Sequence, residues 1–217
     1  MQNSRLHVST HPLSGHFLTD LRSTSTTPER YRVLTHRLTS VLALEATAGM
    51  DVRDVPVTTP LQETTGHYLA QPIVAVPILR AGLGMLDAIT ELFPAVSVGY
   101  IGLERNEETL QPTEYYFKAP ALDGAHVLMI DPMLATGGSA AVAAKLLRNQ
   151  GAATLSLICV IAAPEGVDKL LSADDGIEIY TASLDDGLNE RGYILPGLGD
   201  YGDRLFGTEL IGTGLVS

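Results

Sequence analysis

A single cysteine, Cys159, leaves no internal disulfide to be made, which excludes the small disulfide-stapled folds of secreted proteins. Its setting in Leu155-Ser-Leu-Ile-Cys-Val-Ile161 suits a small apolar core residue rather than a reactive thiol. Cations are also few: 14 Lys and Arg stand against 25 Asp and Glu, a formal net charge of −11. A phosphate backbone requires clustered Lys and Arg, so a general nucleic-acid binder is excluded. No apolar run approaches the roughly 18 residues that a bilayer-spanning helix needs. Nor does the sequence open on a charged segment followed by an apolar stretch, as an export signal does. The expectation is a cytoplasmic protein with no membrane partner. A Ser/Gly/Pro-rich linker and an internal repeat are likewise missing, so residues 1–217 are expected to form a single domain. No cluster of metal-ligating side chains stands out. Of the six histidines, five precede residue 68 and His126 begins an apolar segment, a distribution that suits structural or surface roles better than a catalytic base.

What is plentiful is apolar surface. Hydrophobic residues make up 45% of the chain and charged residues only 18%, enough for a substantial core with a surplus for a subunit interface. A homodimer or higher homo-oligomer is expected.

The most informative stretch is His126-Val-Leu-Met-Ile-Asp-Pro-Met-Leu-Ala-Thr-Gly-Gly-Ser139. Val127 to Ile130 form an uninterrupted apolar run, as in parallel strands covered on both faces. From Ala140 to Leu147 the sequence becomes strongly helix-forming, with Gly151 as its stop. Between the two, Ala135, Thr136, Gly137, Gly138 and Ser139 offer hydroxyls and closely spaced backbone N–H groups at a helix N-terminus. That is a natural seat for a phosphate dianion. Taken alone, Thr-Gly-Gly-Ser can equally be an ordinary tight turn; the acidic strand end before it and the helix after it favour the phosphate seat. Asp131, at the end of the strand, is placed to accept hydrogen bonds from neutral sugar hydroxyls.

Along the rest of the chain, Thr27-Pro28 reads as an N-cap with proline at the first helical position. Tyr31, Leu34, Leu38 and Leu42 then recur at helical spacing over about five turns. Met50 to Gln71 is irregular, with Pro56 and Pro60 interrupting Val/Thr-rich pieces that predict an edge strand or a hairpin. Beyond it the spacing predicts strands over 73–78, 96–103, 154–162 and 177–182, with helices over 83–93 and 164–171. Strands alternating with helices imply an α/β fold with a central parallel sheet flanked by helices, right-handed crossovers, and ligands outside the strand carboxyl ends. Residues 103–120 are polar and too long for a minimal connection, which predicts a β-arm or flap. Residues 187–214 are glycine-rich and predict a C-terminal hood over the crevice.

The Asp-Pro-Met-Leu-Ala-Thr-Gly-Gly-Ser segment resembles the phosphoribosyl-diphosphate motif of the phosphoribosyltransferases, in the form found in the uracil phosphoribosyltransferase family. Val76-Pro-Ile-Leu-Arg-Ala-Gly-Leu-Gly-Met85 is similar to that family's diphosphate loop. Ala162-Ala-Pro-Glu-Gly166 and Leu188-Asn-Glu-Arg-Gly-Tyr-Ile-Leu-Pro-Gly-Leu-Gly-Asp200 resemble its later strand end and its uracil-binding segment, and the matches fall in the family's order. The resemblance implies a type I phosphoribosyltransferase fold. It also implies conversion of uracil and 5-phospho-α-D-ribose 1-diphosphate into uridine 5′-monophosphate and diphosphate. Two alternatives stay open: a transferase for another nucleobase, and a regulator of the same fold that senses nucleotides and binds RNA. The regulator should show a basic face, which this acidic chain does not suggest.

On this resemblance the 5-phosphate sits on Ala135 to Ser139, and Arg80 and Arg105 meet the diphosphate. A guanidinium stays charged and can donate two parallel hydrogen bonds to phosphate oxygens. Arg80 follows an apolar strand and precedes Ala-Gly-Leu-Gly, where small residues allow close backbone approach; the resemblance implies strained backbone there, with room for a non-proline cis peptide. Arg105 lies in the flap, where Glu104 before it and Asn106 after it depart from the family's usual residues; Glu104 is expected to face solvent. Pro132 replaces the second carboxylate that relatives with other substrates carry, and Met133 and Leu134 fit an apolar loop wall. Asp200 is the expected carboxylate near metal-bound water or the pyrimidine. Tyr193, Ile194, Gly199, Asp200 and Tyr201 would form the uracil pocket largely through main-chain atoms, with Tyr201 at a rim where many relatives have Ala or Phe. Mg²⁺ is expected to arrive on the substrate diphosphate and its water, without a dedicated protein cage. A nucleotide effector is left open.

Overall fold

The computed structural model describes residues 4–105 and 112–208. In chain order the elements are β1 (Leu6–Val8), α1 (Pro12–Arg22), α2 (Pro28–Thr47), β2 (Val52–Thr58), β3 (Glu63–Leu69), β4 (Ile73–Leu79) and α3 (Leu83–Leu92). Then come β5 (Ser97–Val98), β6 (Tyr100–Arg105), β7 (Pro112–Lys118), β8 (His126–Ile130), β9 (Met133–Leu134) and α4 (Gly138–Asn149). The last third holds β10 (Thr154–Ala162), α5 (Pro164–Ala173), β11 (Ile177–Leu184), β12 (Gly187–Leu188), β13 (Ile194–Leu195) and α6 (Tyr201–Phe206).

The central sheet runs β1-β11-β10-β8-β4-β6-β7, parallel throughout except for the antiparallel β7 at one edge. Both faces of its middle strands are buried by alternation. In β8, Leu128 and Ile130 join the core beneath α1, α2, α3 and α6, while Val127 and Met129 join the core beneath α4 and α5. This is why the strand reads as continuously apolar. Cys159 belongs to the second core and is fully buried; burial pushes its thiol up to about 12, consistent with an inert packing role. His126 shares the buried end of β8 with Ser156 at 3.0 Å, and burial lowers its pKa.

Proline opens α1, α2 and α5 at the first helical turn. Thr27 caps α2, its hydroxyl accepting from Arg30 N–H at 3.4 Å. The irregular stretch after α2 is the hairpin of β2 and β3, a two-stranded sheet separate from the main one. The strand expected over 96–103 is broken into β5 and β6 at Gly99, which would bring a Cβ within 3.0 Å of Ala119 Cβ. The arm expected over 103–120 is the β6–β7 hairpin, of which 106–111 lie outside the described residues. Neither β1 nor α1 was predicted.

The connection out of β4 leads by α3 toward β6, whereas that out of β8 leads by α4 to β10 on the opposite side. The chain therefore diverges between β4 and β8, and parallel α/β sheets hold ligands in the crevice at such a switch point.

Candidate active site

Immediately beyond the carboxyl ends of β4 and β8 lie Arg80 and Asp131. The Leu79–Arg80 peptide is cis, and Arg80 is exposed. The turn after it packs directly on the neighbouring strand end: a Cβ on Gly82 would come 2.5 Å from the Ile130 carbonyl oxygen.

Asp131 opens a cleft of about 190 Å³ lined by Met133, Leu134, Ala135, Thr136, Gly137, Gly138, Ser139, Ala140 and Gly192. The small residues follow from how the loop folds. Gly137 has a left-handed φ of 73° and precedes α4, and a Cβ there would meet the Gly166 carbonyl oxygen at 2.6 Å. The helix begins with the Ala141 N–H to Gly137 carbonyl bond at 2.9 Å. The preceding N–H groups at 138–140 therefore have no acceptor one turn back, and together with the helix dipole they suit an anion. Pro132 is buried behind the cleft and its carbonyl accepts from Val160 N–H at 2.9 Å, so this residue shapes the loop from behind. Desolvation raises the Asp131 carboxyl to about 7, against an opposing hydrogen bond from Met133 N–H.

A second cleft, about 250 Å³, is lined by Ala81, Met133, Ala135, Gly192, Tyr193, Ile194, Gly199, Asp200, Tyr201 and Gly202. It shares Met133, Ala135 and Gly192 with the first, so the two are compartments of one crevice. Arg80 is the residue before Ala81 in its wall. The structure thus gathers residues from the β4 end, the β8 loop and the hood, which the sequence separates by more than a hundred positions. Gly192 touches both compartments; its only sequence signal is its place inside the segment resembling the uracil-binding one.

Asp200 lines the second compartment and also caps α6, its carboxylate accepting from Asp203 N–H at 3.0 Å. Tyr201 departs from the rim position expected of it. It is 2% exposed, and its ring packs edge-on against Tyr31 at 5.5 Å between centroids, so its side chain runs beneath the compartment into the core. Its hydroxyl faces that of Thr35 without closing a well-formed hydrogen bond, and burial pushes its pKa strongly upward. Arg105 ends β6, but its side chain and that of Glu104 lie outside the described residues, as do 209–214 of the expected hood. Among the described residues no group of three His, Cys, Asp or Glu side chains could hold a metal ion. A larger cleft of about 460 Å³ between α2, α3 and α6 is bordered by Leu83 and Gly84 of the segment similar to the diphosphate loop but by neither Arg80 nor any residue of the two compartments.

The profile of a family described as uracil phosphoribosyltransferase matches residues 8–208. A uracil phosphoribosyltransferase of Streptococcus pyogenes serotype M5 (strain Manfredo) is 47% identical over 207 residues, covering 94% of this chain and 99% of its own. That of Halalkalibacterium halodurans is 48% identical over 208 residues, covering 95% and 100%. Among solved structures, the AQ2163 protein of Aquifex aeolicus superposes with a TM-score of 0.88 at 38% identity, over 93% of this chain and 97% of that one.

Proposed function

Because the chain belongs to the uracil phosphoribosyltransferase family, we propose that the two joined compartments at the β4/β8 switch point are where it converts uracil and 5-phospho-α-D-ribose 1-diphosphate into uridine 5′-monophosphate and diphosphate. The observation that carries this reading is the shared wall of Met133, Ala135 and Gly192. It lets a phosphorylated sugar in one compartment present its anomeric carbon to a flat base in the other.

In this reaction a ring nitrogen of uracil displaces diphosphate from C1 of the ribose, through a transition state with oxocarbenium character. The protein's task is to hold and align the reactants and to exclude water. The 5-phosphate takes the N–H groups opening α4, with the hydroxyls of Thr136 and Ser139. Asp131 binds ribose hydroxyls. Arg80, with Arg105 from the arm, neutralises the departing diphosphate. Uracil lies between Ala81 and the hood, read by main-chain atoms around Ile194, Gly199 and Asp200, with Tyr193 beside it and Tyr201 as the floor. Asp131 and Asp200 are the carboxylates bordering the crevice and would face the waters of a Mg²⁺ ion carried by the substrate, which would offset the negative charge of the diphosphate.

We also read the molecule as a cytoplasmic homodimer built from a single catalytic domain. No helix among the described residues is long and apolar enough to cross a membrane. The β2–β3 hairpin exposes Val52, Leu61, Tyr68 and Leu69, with Leu61 94% exposed. An isolated two-stranded hairpin is marginal in water, and a second copy of the chain would cover this apolar surface.

The test is direct. Purified protein with Mg²⁺ and 5-phospho-α-D-ribose 1-diphosphate should form uridine 5′-monophosphate from uracil and no nucleotide from hypoxanthine. Arg80→Ala and Asp131→Asn should each lower kcat/KM by at least about a hundredfold, as the loss of charge stabilisation at a transition state does. Unchanged kinetics in both variants would place the active site elsewhere.

A further inference from the structure

A base read by main-chain atoms is read only as well as the main chain is held. The hood backbone between β13 and α6 is gripped by three side chains that line neither compartment. Asp185, just beyond β11, has a carboxylate side chain only 1% exposed, and its Oδ2 accepts from Gly197 N–H at 3.0 Å. Arg22, the last residue of α1, donates from Nη1 to the Gly197 carbonyl at 2.9 Å. The same guanidinium meets the Asp185 carboxylate with both terminal nitrogens, at 2.8 and 2.6 Å. Ser183 Oγ donates to Asp185 Oδ1 at 2.6 Å. Burial alone would raise the Asp185 pKa; the bonds from Arg22, Ser183 and Gly197 outweigh it and hold the carboxyl below its ordinary value. One residue further on, Arg204 donates to the Leu198 carbonyl at 2.7 Å while stacked over the Tyr31 ring at 4.6 Å. Both polar atoms of the Gly197 backbone and the Leu198 carbonyl are therefore committed to side chains outside the crevice, immediately before Gly199 and Asp200 enter its wall.

We propose that Arg22 and Asp185 are positioning residues for the nucleobase, acting through Gly197 to fix the direction of the main chain that reads it. The inference rests on the hood compartment being the uracil site. It gives the ion pair a task that a hydrophobic pair of equal volume could not perform, since each partner spends a hydrogen bond on the loop as well as on the other. Misplacement of a positioning group remote from the chemistry can cost on the order of a hundredfold in rate.

Steady-state kinetics with uracil and 5-phospho-α-D-ribose 1-diphosphate varied separately tests it in Arg22→Ala, Arg22→Lys and Asp185→Asn. Arg22→Ala and Asp185→Asn should raise KM for uracil at least about tenfold while KM for the sugar diphosphate stays within about twofold, the pattern of lost binding at one substrate only. Arg22→Lys should recover only part of the loss, because an ammonium lacks the planar fork that spans a carboxylate and a carbonyl. Low-millimolar guanidinium should lower the raised uracil KM of Arg22→Ala and leave the wild type unchanged. An equal rise in both KM values, or a fall in Tm with uracil KM unaltered, would overturn the proposal. Should Arg22→Ala not fold, the same comparison is carried by Arg22→Lys and Asp185→Asn, which keep the bulk of the pair. Loss of turnover in Arg80→Ala reports separately on the site itself.

Discussion

Asp131 is asked to stay charged in a place that discourages charge. With its folded pKa raised to about 7 from an ordinary 3.8, both folded and unfolded states hold the proton below about pH 4. As the pH rises the unfolded chain releases it first, so native stability is lost progressively between about pH 4 and 7 and stays lower above that. The gap of about three pH units sets an upper bound of about 4 kcal/mol on this loss. Asp131→Asn should therefore melt several degrees higher than the wild type at pH 8 and at the same temperature at pH 4, measured by scanning calorimetry, even as activity collapses. In the wild type the same proton should give kcat/KM for the sugar diphosphate an acid limb near pH 7. A pH-independent Tm difference would refute the assignment. At this scale the sequence was legible where chemistry is local: Asp131 to Ser139 are contiguous, so a strand, a run of small residues and a helix announce the cradle together. Arg22 and Asp185 lie 163 positions apart, and a remote ion pair leaves no period or spacing to find.

Among elements, α4 shows how tightly the proposed phosphate seat binds its neighbours. Gly137 holds a left-handed turn and also lies against the first turn of α5 through Gly166. Gly137→Ala should lower the free energy of unfolding by about 1–3 kcal/mol and raise KM for the sugar diphosphate more than that for uracil; a neutral urea melt would show the contact to be relaxed. Long periodic elements such as α2 and β10 could be read from sequence because burial imposes 3.6-residue or continuous apolar patterns on them. The missed α1 is capped by His11, whose Nδ1 accepts from Leu13 N–H at 3.1 Å, in place of the Ser, Thr, Asp or Asn that usually signals a helix start. The three-residue β1 is too short to display any period.

At the scale of the molecule, the β2–β3 hairpin is an appendage whose two ends meet: Ala70 N–H donates to the Asp51 carbonyl at 2.9 Å. Residues 52–69 can thus be replaced by a short turn without pulling on α2 or β4. On the proposed dimer, the full chain should sediment as a dimer and the deletion variant as a monomer that keeps its helical circular dichroism; a deletion variant that still sediments as a dimer would assign the interface elsewhere.

The pairing of β1 with β11 carries a consequence in time. Among the described residues the strand at Leu6–Val8 finds its sheet neighbour at Ile179–Thr181, so during synthesis at about 5–20 residues per second its seat does not exist for on the order of ten to thirty seconds. Until then the nascent chain carries an unmated segment and an open sheet margin, and a cell making this protein has to shelter both from other ribosome-bound chains.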